Sequence, residues 1–400
     1  MKGLAFVFPG QGSQVVGMGR SFWNDFTIAK RLFEEASDAI HLDVKKLCWD
    51  SPIHELTQTQ NAQPAILTVS VIAYQVYLQE IGEKPHYAAG HSVGEYAALV
   101  CAGVIPFQDA VRLVRQRGVL MQHADPQQVG TMVAVTDIPA QALRKICAEI
   151  STDHYPVDIA CLNSERQHVV AGHRQAVGHV VKQAERLGAK HTHLNVSAAF
   201  HSPMMIPAAE QFPDHLQSLT FADAEWPIIS NVTAAPYQSG NSVAEHLQQQ
   251  LTMPVRWLES MNYMLGHGIL EIIEMGPKNV LSTLIRKITT HAAAYSLSQP
   301  SDLLSLSNSF ERQKTLIRLR KKIFQDLTVK SIIARNYNED TNAYSQRVTP
   351  LFAQLKLAAE RINTNDMECS EEELDQSIRI CKLILEAKQA PPQEAANLRS

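Results

Sequence analysis

No two of the six cysteines, at positions 48, 101, 147, 161, 369 and 381, form a CxxC pair or a repeating spacing, which excludes a zinc ribbon and a disulfide framework. They read as buried or incidental thiols, and no metal site is expected. Long apolar runs are missing too, since none reaches the roughly 18 residues of a membrane-spanning helix. The N-terminal MKGLAFVFPGQGSQ has one lysine and a short apolar run broken by Pro9 and Gly10, too short for the apolar region of a secretion signal. A soluble, cytoplasmic protein with no membrane partner is the expectation. Charge of one sign is not in excess either: 36 Lys and Arg against 40 Asp and Glu leave a net charge of −4, which offers nucleic acid no attracting field. What is present, 45% hydrophobic and 19% charged residues over 400 positions, suits a globular chain with one large α/β body, a subdomain and an appendage.

Leu4 to Phe8 is an apolar run stopped by Pro9-Gly10, the pattern of a buried parallel strand that delivers a loop to one edge of a sheet. Asn61 to Gln79 carries apolar residues on nearly every face and reads as a helix buried against that sheet. Tyr87 to Gly90 then forms a strand end, with a helix from Ser92 onward. Between Thr131 and Val196 the order is strand, helix, strand, strand, helix, strand, the split unit of ferredoxin-like domains. Pro227 to Asn231 and Gly268 to Met275 return the chain to the main body as two further strands. After about residue 296 a polar, Pro- and Ser-containing connector is expected. Residues 312–335 hold eight Lys and Arg, with Leu316, Ile323 and Leu327 near helical spacing, a solvated basic face on an amphipathic helix. Two apolar stripes, Val348 to Ile362 and Leu374 to Leu385, suggest a helical hairpin over 344–400, with Ser370 and Glu373 as a capping box and Pro391-Pro392 as its stop.

The pentapeptide Gly90-His91-Ser92-Val93-Gly94 has the form GxSxG and sits between the strand end and the helix start. A nucleophile on a strained turn needs neighbours without Cβ atoms so that the backbone can pass closely, and both glycines answer that need. The pattern alone is common; the strand and helix around it favour a nucleophilic serine over a plain turn. Such a serine requires a base, and sixteen histidines compete for the role. His201 lies in a loop that returns from the subdomain to the body. His191 and His193 alternate on a strand and read as surface or packing residues, and His173 follows a strand end. Gly10-x-Gly12 would open a dinucleotide loop only if position 15 were glycine, and it is Val15.

FVFPGQGSQ at 6–14, GHSVGEYAAL at 90–99, RQRG at 115–118, ACLNS at 160–164, AFHSPMM at 199–205, ISNVTA at 229–234 and EMGPKNVL at 274–281 together resemble the malonyl-CoA:acyl carrier protein transacylases over roughly residues 3–290. The resemblance implies an α/β-hydrolase-like body (1–128 and 199–295), a ferredoxin-like subdomain (129–198), a linker with the basic helix (296–343) and a helical C-terminal extension (344–400). It also implies roles. Ser92 is the acylated nucleophile and His201 its base, oriented by backbone carbonyls at Gln250 and Asn231 without a third carboxylate. Gln11 and Val93 supply the oxyanion-hole amides. Arg117 pairs the free carboxylate of the malonyl group, a two-pronged geometry that guanidinium supplies. His91, Phe200 and Asn163 line the substrate pocket, where the Phe200 ring crowds a 2-methyl branch. Val93 stands where leucine is commoner in the family, a departure that weakens the case for strict malonyl selectivity.

The implied substrate is malonyl-CoA, a coenzyme A thioester, with no bound cofactor, and the implied partner is a phosphopantetheinylated acyl carrier protein. The competing functions are a thioester hydrolase of the same fold, a malonate decarboxylase acyl-loading subunit and a catalytically idle docking module. Fatty-acid enzymes of the family usually end about 90 residues earlier, and the tail resembles extensions on free-standing acyltransferases of polyketide assembly lines.

Overall fold

Nine strands, numbered in chain order, form two sheets in the computed structural model, which describes residues 3–333, 338, 340–364 and 371–388. They are β1 (Gly3–Phe8), β2 (Tyr87–Gly90), β3 (Gly130–Thr136), β4 (Val157–Ser164), β5 (Gln167–His173), β6 (Lys190–His193), β7 (Ile228–Ile229), β8 (Ile269–Met275) and β9 (Ala293–Leu297). The first sheet runs β7-β2-β1-β8-β9 and every pair in it is parallel. The result is a mixed α/β fold around a parallel sheet. β1 lies in the middle with Leu4 to Phe8 buried, as expected of a strand covered on both faces. Helix α1 (Thr59–Glu80) is buried along most of its length, and its Tyr77 meets Phe6 edge-to-face with ring centroids 5.1 Å apart. Because the strands are parallel, the loops after Phe8, Gly90 and Met275 emerge at one edge, where open α/β sheets place their sites.

Helices α2 (Gly94–Cys101) and α3 (Phe107–His123) follow β2. The second sheet, antiparallel in the order β4-β5-β3-β6, carries α4 (Ala140–Ile150) and α5 (Arg174–Arg186). Val133, Leu143, Ile159, Val170 and Val177 form its core. The strand and helix order expected from 131–196 is thus the observed order. An isolated parallel bridge, Cys161 to Val255, joins the edge strand β4 to the main body through Leu162 N to Val255 O at 2.9 Å and Val255 N to Ala160 O at 2.8 Å.

The polar connector expected after residue 296 is regular structure instead. β9 pairs with β8 through Leu297, and α6 (Asn241–Gln249), α7 (Val280–Ile288) and α8 (Ser301–Ile333) complete the helices that matter here. Serines and asparagines conceal the α8 start, but the Asp302 carboxylate accepts from Ser298 N at 2.9 Å and Gln299 N at 3.1 Å, while Leu303 and Leu306 are buried.

The chain divides into two compact units, Lys2–Leu304 and Ser305–Ser400. In the second, α9 (Thr341–Thr364) and α10 (Glu371–Ala387) are the helices described over the stretch where the sequence suggests a hairpin. Val348, Leu355, Ile380, Cys381 and Ile384 share a core with Phe324 of α8, so the basic helix contributes packing as well as charge. Ser370, Cys369, Pro391 and Pro392, and the side chains of Leu316, Leu327 and Ile362, lie outside the described residues. The other five cysteines are free and buried. Among the described residues no helix is long and apolar enough to cross a membrane.

Candidate active site

Ser92 has φ of 53°, in the left-handed region that L-residues adopt only when held there. The turn is held by close approach. A Cβ on Gly90 would lie 1.9 Å from Gly94 C, and one on Gly94 would lie 2.0 Å from Phe8 O. The helix therefore starts at Gly94, two residues later than the sequence suggests, and Ser92 projects from the elbow before it. Asn231 fixes the elbow by accepting from Ser92 N at 2.8 Å and donating to Gly90 O at 2.6 Å.

Ser92 Oγ lies 2.7 Å from His201 Nε2, and His201 Nδ1 lies 2.7 Å from the Gln250 carbonyl oxygen. A carbonyl only accepts, so Nδ1 carries the proton and Nε2 is free to receive one from the serine. Burial, with the Arg117 charge nearby, pushes the His201 imidazole down to about 3, against the backbone contacts of Gln250 and Met253. It is neutral around pH 7, the state that a base requires.

The expected second carbonyl contact from Asn231 is not made. Its carbonyl oxygen accepts from Arg256 N at 3.1 Å, because the chain at 231 runs beside the serine turn, and its side chain holds Ser92. Met253 takes that place as the further backbone contact of His201. The backbone N–H groups of Gln11 and Val93 meet no partner among the described residues, and both residues line the cavity that contains Ser92.

Arg117 is 1% exposed, not a surface residue beside Arg112 and Arg115. Its place on α3 explains this: Ala110, Leu113, Val114, Arg117 and Met121 form the buried stripe, and Arg112 and Arg115 fall off it. Nη1 donates to Gln63 Oε1 at 2.8 Å, and Nη2 to Gln250 Oε1 at 2.8 Å and Ser92 Oγ at 3.2 Å. The guanidinium stands over the Tyr96 ring at 5.3 Å. Its Nε has no hydrogen-bond partner among the described residues. Burial lowers its affinity for the proton, with Tyr96 and Glu95 opposing, yet an arginine stays charged in a protein.

The cavity measures about 420 Å³ and is walled by both sheets and α7: Gln11, His91 and Arg117 from the body, Met132, Asn163 and Val169 from the second sheet, and Leu281 and Lys287 from α7. His91 and Asn163 meet at 3.0 Å across it, and burial keeps His91 below its ordinary value. Phe200 forms part of the wall next to His201. His191 and His193 are exposed on β6, and His173 caps α5 by accepting from Gln175 N at 3.3 Å.

Four residues escaped the sequence reading: Gln63, Glu95, Tyr237 and Met253. Gln63 gave a signal, a polar residue within an apolar helix. Glu95 gave none, since an acid in a first helical turn has an ordinary role against the dipole.

Residues 5–301 match the acyl transferase domain family. A malonyl CoA-acyl carrier protein transacylase of Bacillus subtilis is 64% identical over 394 residues, 98% of this chain and 98% of its own. One from Escherichia coli (strain K12) is 40% identical over 302 residues, 75% of this chain and 97% of its own. The solved structure of the malonyl CoA-acyl carrier protein transacylase from Coxiella burnetii has a TM-score of 0.74 at 37% identity and covers 76% of this chain and 96% of that one. A malonyl-transacylase in complex with a type II PKS acyl-carrier protein has a TM-score of 0.74 at 36% identity, covering 76% and 98%.

Proposed function

The chain belongs to the acyl transferase domain family, and from that premise we infer that it moves malonyl from coenzyme A to an acyl carrier protein through an ester on Ser92. The observation that carries this reading is the buried Arg117 guanidinium beside a serine–histidine pair. Among the described residues its hydrogen-bond acceptors are neutral and its Nε has none. A cation so placed calls for an anionic substrate group within reach of the nucleophile, which the malonyl carboxylate provides.

His201 Nε2 takes the Ser92 proton as Oγ attacks the thioester carbon. The oxyanion rests on the Gln11 and Val93 N–H groups, with the positive end of α2 behind Val93. The C–S bond breaks, and the imidazolium returns its proton to the coenzyme A sulfur. The phosphopantetheine thiol of the carrier protein then attacks the malonyl-serine ester by the same route, and Ser92 recovers its proton. The product serves fatty acid or polyketide synthesis. Labelled malonyl-CoA should leave one covalent label, and peptide mapping should find it on Ser92; a label elsewhere, or none, refutes the reading.

Phe200 limits the acyl group's width in this reading. Phe200→Ala should raise the methylmalonyl-to-malonyl ratio of kcat/KM by an amount equivalent to about 1–3 kcal/mol, the worth of one methyl group in an apolar pocket.

The body is read as α/β-hydrolase-like and spans 1–128 and 199–297, two residues past the expected limit because β9 ends at Leu297. The order β4-β5-β3-β6 supports a ferredoxin-like identity for 129–198. A coenzyme A thioester substrate suits a cytoplasmic location. The Escherichia coli relative matches 75% of this chain, whereas the Bacillus subtilis relative matches 98%, so the tail is assigned to packing or to meeting an acidic carrier protein through the basic part of α8. Among the described residues, those that line the cavity lie between Gly10 and Lys287. Removal of 305–400 should therefore leave the rate of Ser92 labelling within about threefold of the full chain, any larger loss falling on carrier transfer and its salt dependence. A folded truncation that cannot label Ser92 would place the tail in the active site.

A further inference from the structure

Glu95 is a buried carboxylate that the reaction above does not use. It is 1% exposed and lies in the first turn of α2, three residues after the nucleophile. Tyr237 Oη donates to its Oε1 at 2.7 Å, Asn231 N donates to the same oxygen at 3.0 Å, and Gln250 Nε2 donates to Oε2. Two of these three donors, Asn231 and Gln250, also hold the reacting groups. Asn231 Oδ1 accepts from Ser92 N; the Gln250 carbonyl accepts from His201 Nδ1; Gln250 Oε1 accepts from Arg117 Nη2, and Gln250 Nε2 also reaches Ser92 O at 3.1 Å.

We propose that Glu95 is a positioning residue whose carboxylate sets the amide orientation of Gln250 and the place of Asn231, and so aims Ser92, His201 and Arg117 together. This rests on the transacylase reading. The physical argument is one of donors and acceptors. A glutamine amide can present either its oxygen or its nitrogen to a neighbour. Arg117 only donates, so Gln250 must turn its oxygen to Arg117 and its NH2 away. An ionised carboxylate only accepts, and at Oε2 it rewards that orientation alone. A protonated Glu95 can donate instead, which stabilises the reversed amide and sets NH2 against the guanidinium. The Glu95 charge acts on Arg117 through a single intervening amide, that of Gln250, and among the described residues no carboxylate accepts from the guanidinium directly.

The charged and titratable groups that face Glu95 are Tyr96 on its own helix, Tyr237 from the segment after β7 and Arg117 from α3. Burial raises the Glu95 carboxyl to about 7, with Tyr237, Asn231, Gln250 and Arg117 opposing. Positioning is therefore present above that pH and is lost as pH falls through it, whereas His201 remains neutral over the same range because it titrates at about 3.

The test is the rate of Ser92 labelling by labelled malonyl-CoA in the full chain, measured from about pH 5.5 to 8.5, for wild type, Glu95→Gln and Tyr237→Phe. Wild type should slow with falling pH around a midpoint of about 7. Tyr237→Phe removes a donor to the ionised form and should move that midpoint upward. Glu95→Gln should label about 10- to 100-fold more slowly at pH 8, with no midpoint in the window and with a cooperative thermal melt. An unchanged rate in Glu95→Gln, a midpoint that survives in it, or a Tyr237→Phe midpoint that does not move would overturn the proposal, and the tyrosine variant decides the matter if the glutamine variant does not fold. A wild type that takes no label on Ser92 would instead refute the transacylase reading on which the proposal stands.

Discussion

Ser92→Ala leaves no covalent malonyl label after incubation with labelled malonyl-CoA, in a protein that melts like the wild type. The chemical loss is large because, among the described residues, the hydroxyl bonded to His201 Nε2 at 2.7 Å is that of Ser92. Removal of a nucleophile from such an assembly costs roughly 10⁴- to 10⁶-fold in turnover, with residual rate from the oxyanion amides and binding alone. The structural loss is small. The contacts that hold the elbow are made by the backbone N–H and carbonyl of residue 92 and by Asn231 and Gln250, and alanine keeps them. The substitution removes one oxygen and no core volume. Intact mass spectrometry reads the first effect and a thermal melt the second; a stable malonyl-enzyme in the alanine variant would reassign the nucleophile.

Arg117→Ala should be nearly as damaging to malonyl transfer and should change what the enzyme prefers. Two charge-assisted hydrogen bonds to the malonyl carboxylate, at about 1.5–3 kcal/mol each, correspond to a loss of roughly 10²- to 10⁴-fold in kcat/KM for malonyl-CoA. Acetyl-CoA has no carboxylate to lose and should become a comparable substrate. Because Arg117 is buried, the variant also leaves Gln63 Oε1 and Gln250 Oε1 without their donor, at about 1–3 kcal/mol of stability for each. Total activity therefore mixes two effects. The ratio of malonyl to acetyl transfer, measured on one preparation, cancels the folded fraction, and an unchanged ratio would refute the carboxylate role.

The elements that were legible in the sequence are those whose signal is local. Leu4 to Phe8 ends in Pro9-Gly10, Tyr87 to Gly90 runs into two glycines around a serine, and the six-element order of 131–196 is visible from period alone. What escaped depends on contacts far apart in the chain. Glu95 meets residues 136 to 155 positions away, and nothing in the first turn of a helix announces that. Asn231 was expected to hold the histidine and holds the serine, a choice made by the path of the backbone and not by residue type. The burial of Arg117 was half legible: it shares the stripe of Leu113, Val114 and Met121, whereas Arg115, two residues earlier, donates to Gln60 O and Asn61 Oδ1 at the rim of the body. The strand at 293–297 and the start of α8 were hidden by serines, since short polar side chains mark loops and helix entrances alike.

The bridge between Cys161 and Val255 gives the second sheet a mechanical role. Val255 lies five residues beyond Gln250, whose carbonyl seats the imidazole, and the intervening Met253 touches the same ring. A shift of β4 that widens the cavity at Asn163 should pull on this short tether and so displace the base. A chimera that borrows residues 129–198 from a relative with a different acyl preference must therefore carry that relative's 250–256 with it, or it will acquire the new width and lose the alignment of its histidine.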